Sequence, residues 1–136
     1  MLFRSGAAVG RHAGSVDEQY VPYILPQENG NKCDTRWIAL AENSSCGLLI
    51  AGCPELEFSA SHFTSDDLYR AFHTNELTRQ DETYWTLDVM QCGLGGNSCG
   101  PMTLPQYLIE PGQIKFSVLL RPLSTARGDL RKLGRK

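Results

Sequence analysis

The sequence predicts an all-β protein, an antiparallel β-sandwich with one short helix. Apolar and polar residues alternate along several short runs, which is the pattern of half-buried strands. Clusters of Gly, Pro and Asn separate these runs, and only one segment carries helix-start signals. With 136 residues the chain is one domain or part of one, and it can bury a core of its own.

Seven strands are predicted, connected by short turns. The strongest reversal signal is Asn29-Gly30 in the turn PQENGN, after the first strand. A break at Gly52-Cys53-Pro54 separates the third strand from the fourth, where Leu56 and Phe58 share one face. The predicted strands are residues 20–25, 33–40, 46–51, 55–63, 84–94, 103–110 and 114–123.

The single predicted helix begins near residue 64. Thr64 or Ser65 can cap it, and Asp66 and Asp67 lie in the first turn, where the helix dipole favours negative charge. Its apolar stripe consists of Leu68, Ala71 and Phe72.

Charge and hydropathy divide the chain into three parts. Residues 1–17 are expected to be a disordered leader or an artificial remnant, because Gly and Arg interrupt their weak apolar stretch. Residues 18–123 form the predicted β-domain. Residues 124–136 carry five basic residues against one acidic residue and are expected to be a flexible tail. No aromatic residues interleave with those charges, and no apolar run reaches the roughly 20 residues of a membrane span, so neither nucleic acid nor membrane is an expected partner.

The five cysteines, at positions 33, 46, 53, 92 and 99, form no CxxC pair and no zinc-finger spacing. Their odd number argues against a complete disulfide framework. Reduced thiols in a reducing compartment are therefore expected, which favours the cytoplasm, with the periplasm as the alternative.

No catalytic set emerges from the residues alone. Cys99, on the Gly-rich stretch GLGGNSCGP, has no basic side chain within five residues to activate it, although His62 and His73 are candidate partners. Those histidines also lack metal-ligand spacing with Asp66 and Asp67, so no metal or other cofactor is expected in this chain. Glu28 is a lone turn carboxylate, which more often bonds backbone than serves as an acid catalyst.

Three stretches together resemble one family, the C-terminal domain of family 2 β-galactosidases. They are YVPYILPQENGNKCDTRWIAL (residues 20–40), FSASHFTSDDLYRAFHTNEL (58–77) and LDVMQCGLGGNSCGP (87–101). The resemblance covers about residues 18–122. It implies half of a galactose-mutarotase-like supersandwich, in a retaining enzyme that hydrolyses terminal β-D-galactosides.

The resemblance also implies what this chain lacks and what it contacts. The catalytic glutamates, and the Mg and Na sites of the family, would lie in other domains, so the chain would be non-catalytic alone. Its implied partners are those domains, a galactoside or oligosaccharide at the Gly-rich loop, and a second copy of the chain against an exposed sheet.

The implied site residues fall on two segments. The Gly-rich loop would contact substrate, with Cys99 at the position where many members of the family carry tryptophan. The turn segment would be architectural, and Trp37 and Trp85 are expected in the core. The substrate-contacting set is Gly95, Gly96, Asn97, Ser98 and Cys99, and the architectural set is Glu28, Asn29, Gly30 and Arg36.

Two alternatives stay open at this point. One is a free-standing carbohydrate-binding β-sandwich. The other is an aldose-1-epimerase-like enzyme, whose chemistry needs a His/Glu pair facing one cleft, so that His62 or His73 would have to lie opposite Glu28.

Overall fold

The protein is described by a computed structural model, which covers residues 2–5, 10–22, 30–43, 46–92 and 100–123. Within these ranges the chain forms six antiparallel strands and one α-helix, so the predicted all-β class with one short helix is confirmed. The elements are β1 (Leu2–Ser5), β2 (His12–Ala13), β3 (Lys32–Asn43), β4 (Cys46–Ser61), α1 (Ser65–Arg70), β5 (Tyr84–Asp88) and β6 (Ser117–Leu123).

Strand β4 is the centre of a single open sheet with the order β2-β1-β3-β4-β5. One side of β4 pairs with β3 over most of its length. Its other side pairs first with β6, from Gly47 to Cys53, and then with β5, from Glu57 to Ser61. β5 and β6 therefore follow one another along the same edge of β4.

The sheet buries apolar side chains on both faces. Alternation along β3 and β4 sends successive side chains to opposite faces, so each strand supplies both clusters. Phe58 is fully buried in the first cluster, and Trp37, 5% exposed, confirms its expected core position in the second. The first cluster is Ile38, Ile50, Leu56 and Phe58, with Trp85 and Leu87 packed against it, and the second is Trp37, Ala39, Leu49 and Ala51.

The predicted break between two strands at residues 52–54 is wrong, since β4 is continuous from Cys46 to Ser61. Gly52 accounts for the difference. A Cβ at this position would lie 2.7 Å from the carbonyl oxygen of Pro54 and 2.9 Å from the Cβ of Leu56. Only glycine leaves room for the Pro54 backbone and the Leu56 side chain to lie this close to residue 52, so the strand continues beyond the proline.

Helix α1 confirms the prediction for its N-terminus. Thr64 Oγ1 accepts a hydrogen bond of 3.0 Å from the Asp67 backbone N–H, and Asp67 Oδ2 accepts one of 3.3 Å from the Thr64 backbone N–H. These reciprocal bonds form a capping box. Of the predicted apolar stripe, Ala71 is buried, but Phe72 is 77% exposed because α1 ends at Arg70.

Three other segments differ from the sequence-based expectations. Residues 20–22 are not in a strand, and residues 23–25 lie outside the described ranges. Residues 103–110 contain a 3₁₀ turn, Pro105–Tyr107, where Pro105 has no backbone N–H for a ladder. At the N-terminus, where a disordered leader or an artificial remnant is expected, β1 pairs with β2 and with β3.

The division into leader, domain and tail stays a prediction, and the tail itself lies outside the described residues. Among the described helices, none has the length and apolar character to cross a bilayer.

Phe58→Ala is expected to destabilise the protein by about 3–5 kcal/mol, because it opens a cavity in the fully buried cluster. The matched control is Phe72→Ala, which removes the same side chain from an exposed position and is expected to change stability by less than about 0.5 kcal/mol. Urea unfolding followed by tryptophan fluorescence measures both values. Equal losses in the two variants would contradict the assignment of the core.

Candidate functional site

The residue after the turn segment PQENGN and the residues before the Gly-rich segment pair with the same two residues of β4, Glu57 and Phe58. Lys32, just after the turn PQENGN, pairs with Phe58, and Leu87 pairs with Phe58 from the opposite side. Glu57 is paired in turn with Asp88, the last residue of β5 before the Gly-rich stretch. Residues 57 and 58 therefore bridge the end of one motif and the start of the other, although 55 residues separate Lys32 from Leu87 in sequence.

On the side of the turn segment, the contacts of Glu57 are polar. The Asn31 side-chain amide donates a hydrogen bond of 2.8 Å to Glu57 Oε2 and lies 3.7 Å from the Cys33 sulfur. The Cys33 thiol in turn donates to Glu57 Oε2 over 3.6 Å. Asn31 Oδ1 is buried and has no hydrogen-bond partner among the residues that the structure describes. The orientation of Asn31 therefore depends on its bond to Glu57.

On the other side, Glu57 opposes a second carboxylate. Directly paired residues of an antiparallel ladder share a face, with Cβ atoms about 4.5–5.5 Å apart, and like charges there are destabilising. Asp88 Oδ2 accepts a hydrogen bond of 2.8 Å from the Gln91 side chain. Within the described ranges no Lys, Arg or His forms an ion pair with Glu57 or Asp88. We call Asn31, Cys33, Glu57, Asp88 and Gln91 the polar corner.

Lys32 lies on the opposite face from the polar corner. Its ammonium is 5.8 Å from the centre of the Phe58 ring and donates to the Gly30 carbonyl oxygen. Partial burial lowers the pKa of Lys32 below its ordinary value. Gly30 has φ of +67°, and a Cβ there would lie 2.5 Å from the Gln19 carbonyl oxygen, so this position requires glycine.

The Cys33 thiol is shielded from ionisation. Partial burial raises its pKa, and the negative charge of Glu57, the hydrogen bond to Glu57 and the charge of Asp34 raise it further. The hydrogen bond from Asn31 acts in the opposite direction, since it favours the thiolate. The net effect keeps the thiol protonated and a poor nucleophile near neutral pH.

The histidines are placed apart from the polar corner. His62 Nδ1–H donates a hydrogen bond of 2.9 Å to the Glu82 carbonyl oxygen, and His62 Nε2 lies 4.0 Å from Asp17, which Arg79 contacts at 3.2 Å. This set ties the N-terminal segment to the chain after α1. No group of three or more His, Cys, Asp or Glu residues is arranged to hold a metal ion in the described part of the chain.

His73 lies three residues after the end of α1 and directly before the 3₁₀ turn Thr74–Glu76. Its Nδ1 is 3.0 Å from Glu76 Oε1, and this hydrogen bond, with a second one from the Phe72 backbone, lowers the pKa of the exposed Glu76 carboxyl. His73 therefore makes a local contact with Glu76 at the protein surface.

Most of the predicted site residues lie outside the described ranges, namely Glu28, Asn29, Gly95, Gly96, Asn97, Ser98 and Cys99. Of the other two, Gly30 forms the turn described above. Arg36 is exposed, and its Nε lies 3.5 Å from Glu55 Oε1.

Sequence reasoning named none of the five residues of the polar corner as a site residue, although it counted Cys33 among the cysteines. The alternation that placed Leu56 and Phe58 in the core also placed Glu57 on the opposite face. Its opposition to Asp88 depends on strand register, which the alternation alone does not give.

The fold and the polar corner define the chain as an antiparallel β-module whose two recognisable motifs converge on one central strand. Residues 4–120 match the family model described as beta galactosidase small chain, and the chain belongs to that family.

Curated relatives support the assignment. The chain is 36% identical to a beta-galactosidase of Arthrobacter sp. (strain B7) over 110 residues, which are 77% of this chain and 11% of the relative. It is 34% identical to a beta-galactosidase of Vibrio cholerae over 116 residues, 85% of this chain and 11% of the relative. For the Priestia megaterium beta-galactosidase the identity is 36% over 107 residues, 78% of this chain and 10% of the relative. The chain thus matches roughly a tenth of the length of these curated relatives.

Glu57→Gln is expected to speed alkylation of Cys33 by iodoacetamide at pH 8, because losing the negative charge of Glu57 lowers the pKa of the thiol and so raises the thiolate fraction. The rate-against-pH curve of Cys33 should move to lower pH. Mass spectrometry of the separate cysteine peptides measures the rates, with the exposed Cys53 in the same sample as control. An unchanged Cys33 curve would show that Glu57 does not shield the thiol.

Proposed function

We propose that the chain is a non-catalytic module of a retaining β-galactosidase that hydrolyses terminal β-D-galactosides. The observation that carries this proposal is the family match over residues 4–120, together with relatives named beta-galactosidase of which the matched residues make up 11% of the length. Glycoside hydrolysis uses two carboxyl groups that flank the scissile bond, and the parent enzyme would supply them from another domain. Its Mg and Na sites would also lie there.

The role of the module is to complete the substrate pocket with the loop of residues 93–101. The register of β4 supports this role, because it brings the stem of that loop beside the turn segment at Glu57 and Asp88. Two motifs that converge on one strand end can present a continuous surface to a ligand.

Within the loop, Gly95, Gly96, Asn97, Ser98 and Cys99 are the proposed galactoside contacts. Glycines let backbone approach a sugar closely, and the Asn and Ser side chains offer hydrogen bonds. A thiol at position 99 offers no flat apolar surface to the CH face of a pyranose, whereas tryptophan does. Cys99 therefore predicts weak aglycone stacking.

The remaining domains of the enzyme are the proposed macromolecular partners, and the cytoplasm is the proposed compartment. Exposed apolar side chains support the partner proposal. They lie on β6 and on the segment before it, and the largest exposed fractions there belong to Met102, Leu104, Tyr107, Ile114 and Leu120. The other half of a mutarotase-like supersandwich, or a second copy of the chain, would bury part of this surface.

Galactose and lactose titrations of the chain, followed by amide NMR, test the proposal. Shifts are expected to concentrate on residues 93–100, and Cys99→Trp should tighten binding by about twofold to tenfold through stacking. Cys46→Trp is the matched control, because it adds the same ring at an exposed cysteine at the start of β4. The absence of galactose-induced shifts in both the wild-type chain and Cys99→Trp would contradict a sugar-contacting loop.

A further inference from the structure

We propose that Glu57 is a positioning residue, which links the segment 30–33 to the segment 88–92 across β4. The consequence for galactoside binding rests on the proposed function, whereas the link itself rests on contacts of the described residues. Glu57 bonds Asn31 on one side and opposes Asp88 on the other.

The first segment needs a side-chain anchor because its backbone is irregular. Gly30 and Asp34 both have positive φ, +67° and +50°, and the register between β3 and β4 shifts between Lys32 and Thr35. A non-glycine residue in the left-handed region is uncommon and is maintained by its surroundings. The Asn31–Glu57 hydrogen bond fastens this irregular stretch to the regular strand β4.

The second segment begins where the ladder stops. β5 ends at Asp88, and residues 89–92 have no strand partner. The 2.8 Å hydrogen bond from Gln91 to Asp88 Oδ2 folds the chain back on the strand end. The Asp88 carboxylate thus holds Gln91, and with it the segment that follows β5, beside the end of the strand.

Charge connects the two segments. Coulomb repulsion between the opposed carboxylates is weakly compensated, since each receives a side-chain amide and neither has an ion-pair partner among the described residues. The hydrogen bond from Asn31 holds Glu57 on the β3 side, and repulsion from Glu57 favours the position in which Asp88 accepts the hydrogen bond of Gln91. Glu57 therefore holds one segment by its hydrogen bond and the other by its charge.

Two substitutions separate these actions. Glu57→Ala removes both the acceptor and the charge, so backbone amide shifts are expected at Asn31 to Cys33 and also at Gln91 and Cys92. Glu57→Gln keeps an acceptor for Asn31 and loses the charge, so it should restore the amides of residues 31–33 and leave those of Gln91 and Cys92 shifted. A purely structural role would give no such split.

Ser59→Ala is the matched control, because Ser59 lies two residues along β4 on the same face, is half-buried and pairs with Thr86. It should leave the amides of residues 31–33 and 91–92 unchanged. Urea unfolding checks that all three variants are folded. Unchanged amides at Gln91 and Cys92 in both Glu57 variants would overturn the proposal.

The galactose dissociation constant is the functional readout. Glu57→Ala is expected to weaken binding by about threefold to tenfold, the effect of one lost hydrogen bond, while Ser59→Ala leaves it unchanged. If the wild-type chain shows no binding, the proposed sugar contact of the loop fails and the amide pattern still decides the link. If the wild-type chain binds galactose and the amides of residues 91–92 do not respond to Glu57, the link fails and the proposed function stands.

Discussion

The backbone hydrogen bonding of β4 on both of its sides is the constraint on which the rest of the structure depends. Its sixteen residues pair with β3 on one side and with β6 and then β5 on the other. Three long-range relations pass through this strand: the two apolar clusters, the meeting of the two motifs, and the pairing of Glu57 with Asp88. Gly52 is the position that permits this length, because a side chain there would meet the backbone of Pro54.

Near its C-terminal end, β4 has an apolar face and a polar face, and both follow from the same strand register. Phe58 points into the apolar cluster, and Glu57, its neighbour, points to the other face, where Asn31 and Asp88 lie. Burial of Phe58 fixes the register, since a shift of one residue would exchange the faces. The register then pairs Glu57 with Asp88 on that face.

The sequence predicted the features that depend on neighbouring residues. The capping box of Thr64 and Asp67 and the alternation of Leu56 and Phe58 are of this kind, and both are confirmed. It failed where tertiary contacts override local signals: Pro54 indicates a strand end, yet β4 continues through it. The polar corner could not be predicted, because 31 residues separate Glu57 from Asp88 and only the register brings them together. The family resemblance came from three motifs, and it is confirmed by the family match.

Cross-strand nuclear Overhauser effects around Phe58 test the central claim most directly. The account predicts contacts from the Phe58 backbone to Lys32 on one side and to Leu87 on the other, because both residues are its register partners. Their presence would show that the two motifs meet on one strand. Contacts from Phe58 to neither residue, or to partners shifted by one position, would contradict the account, since the polar corner would then not assemble.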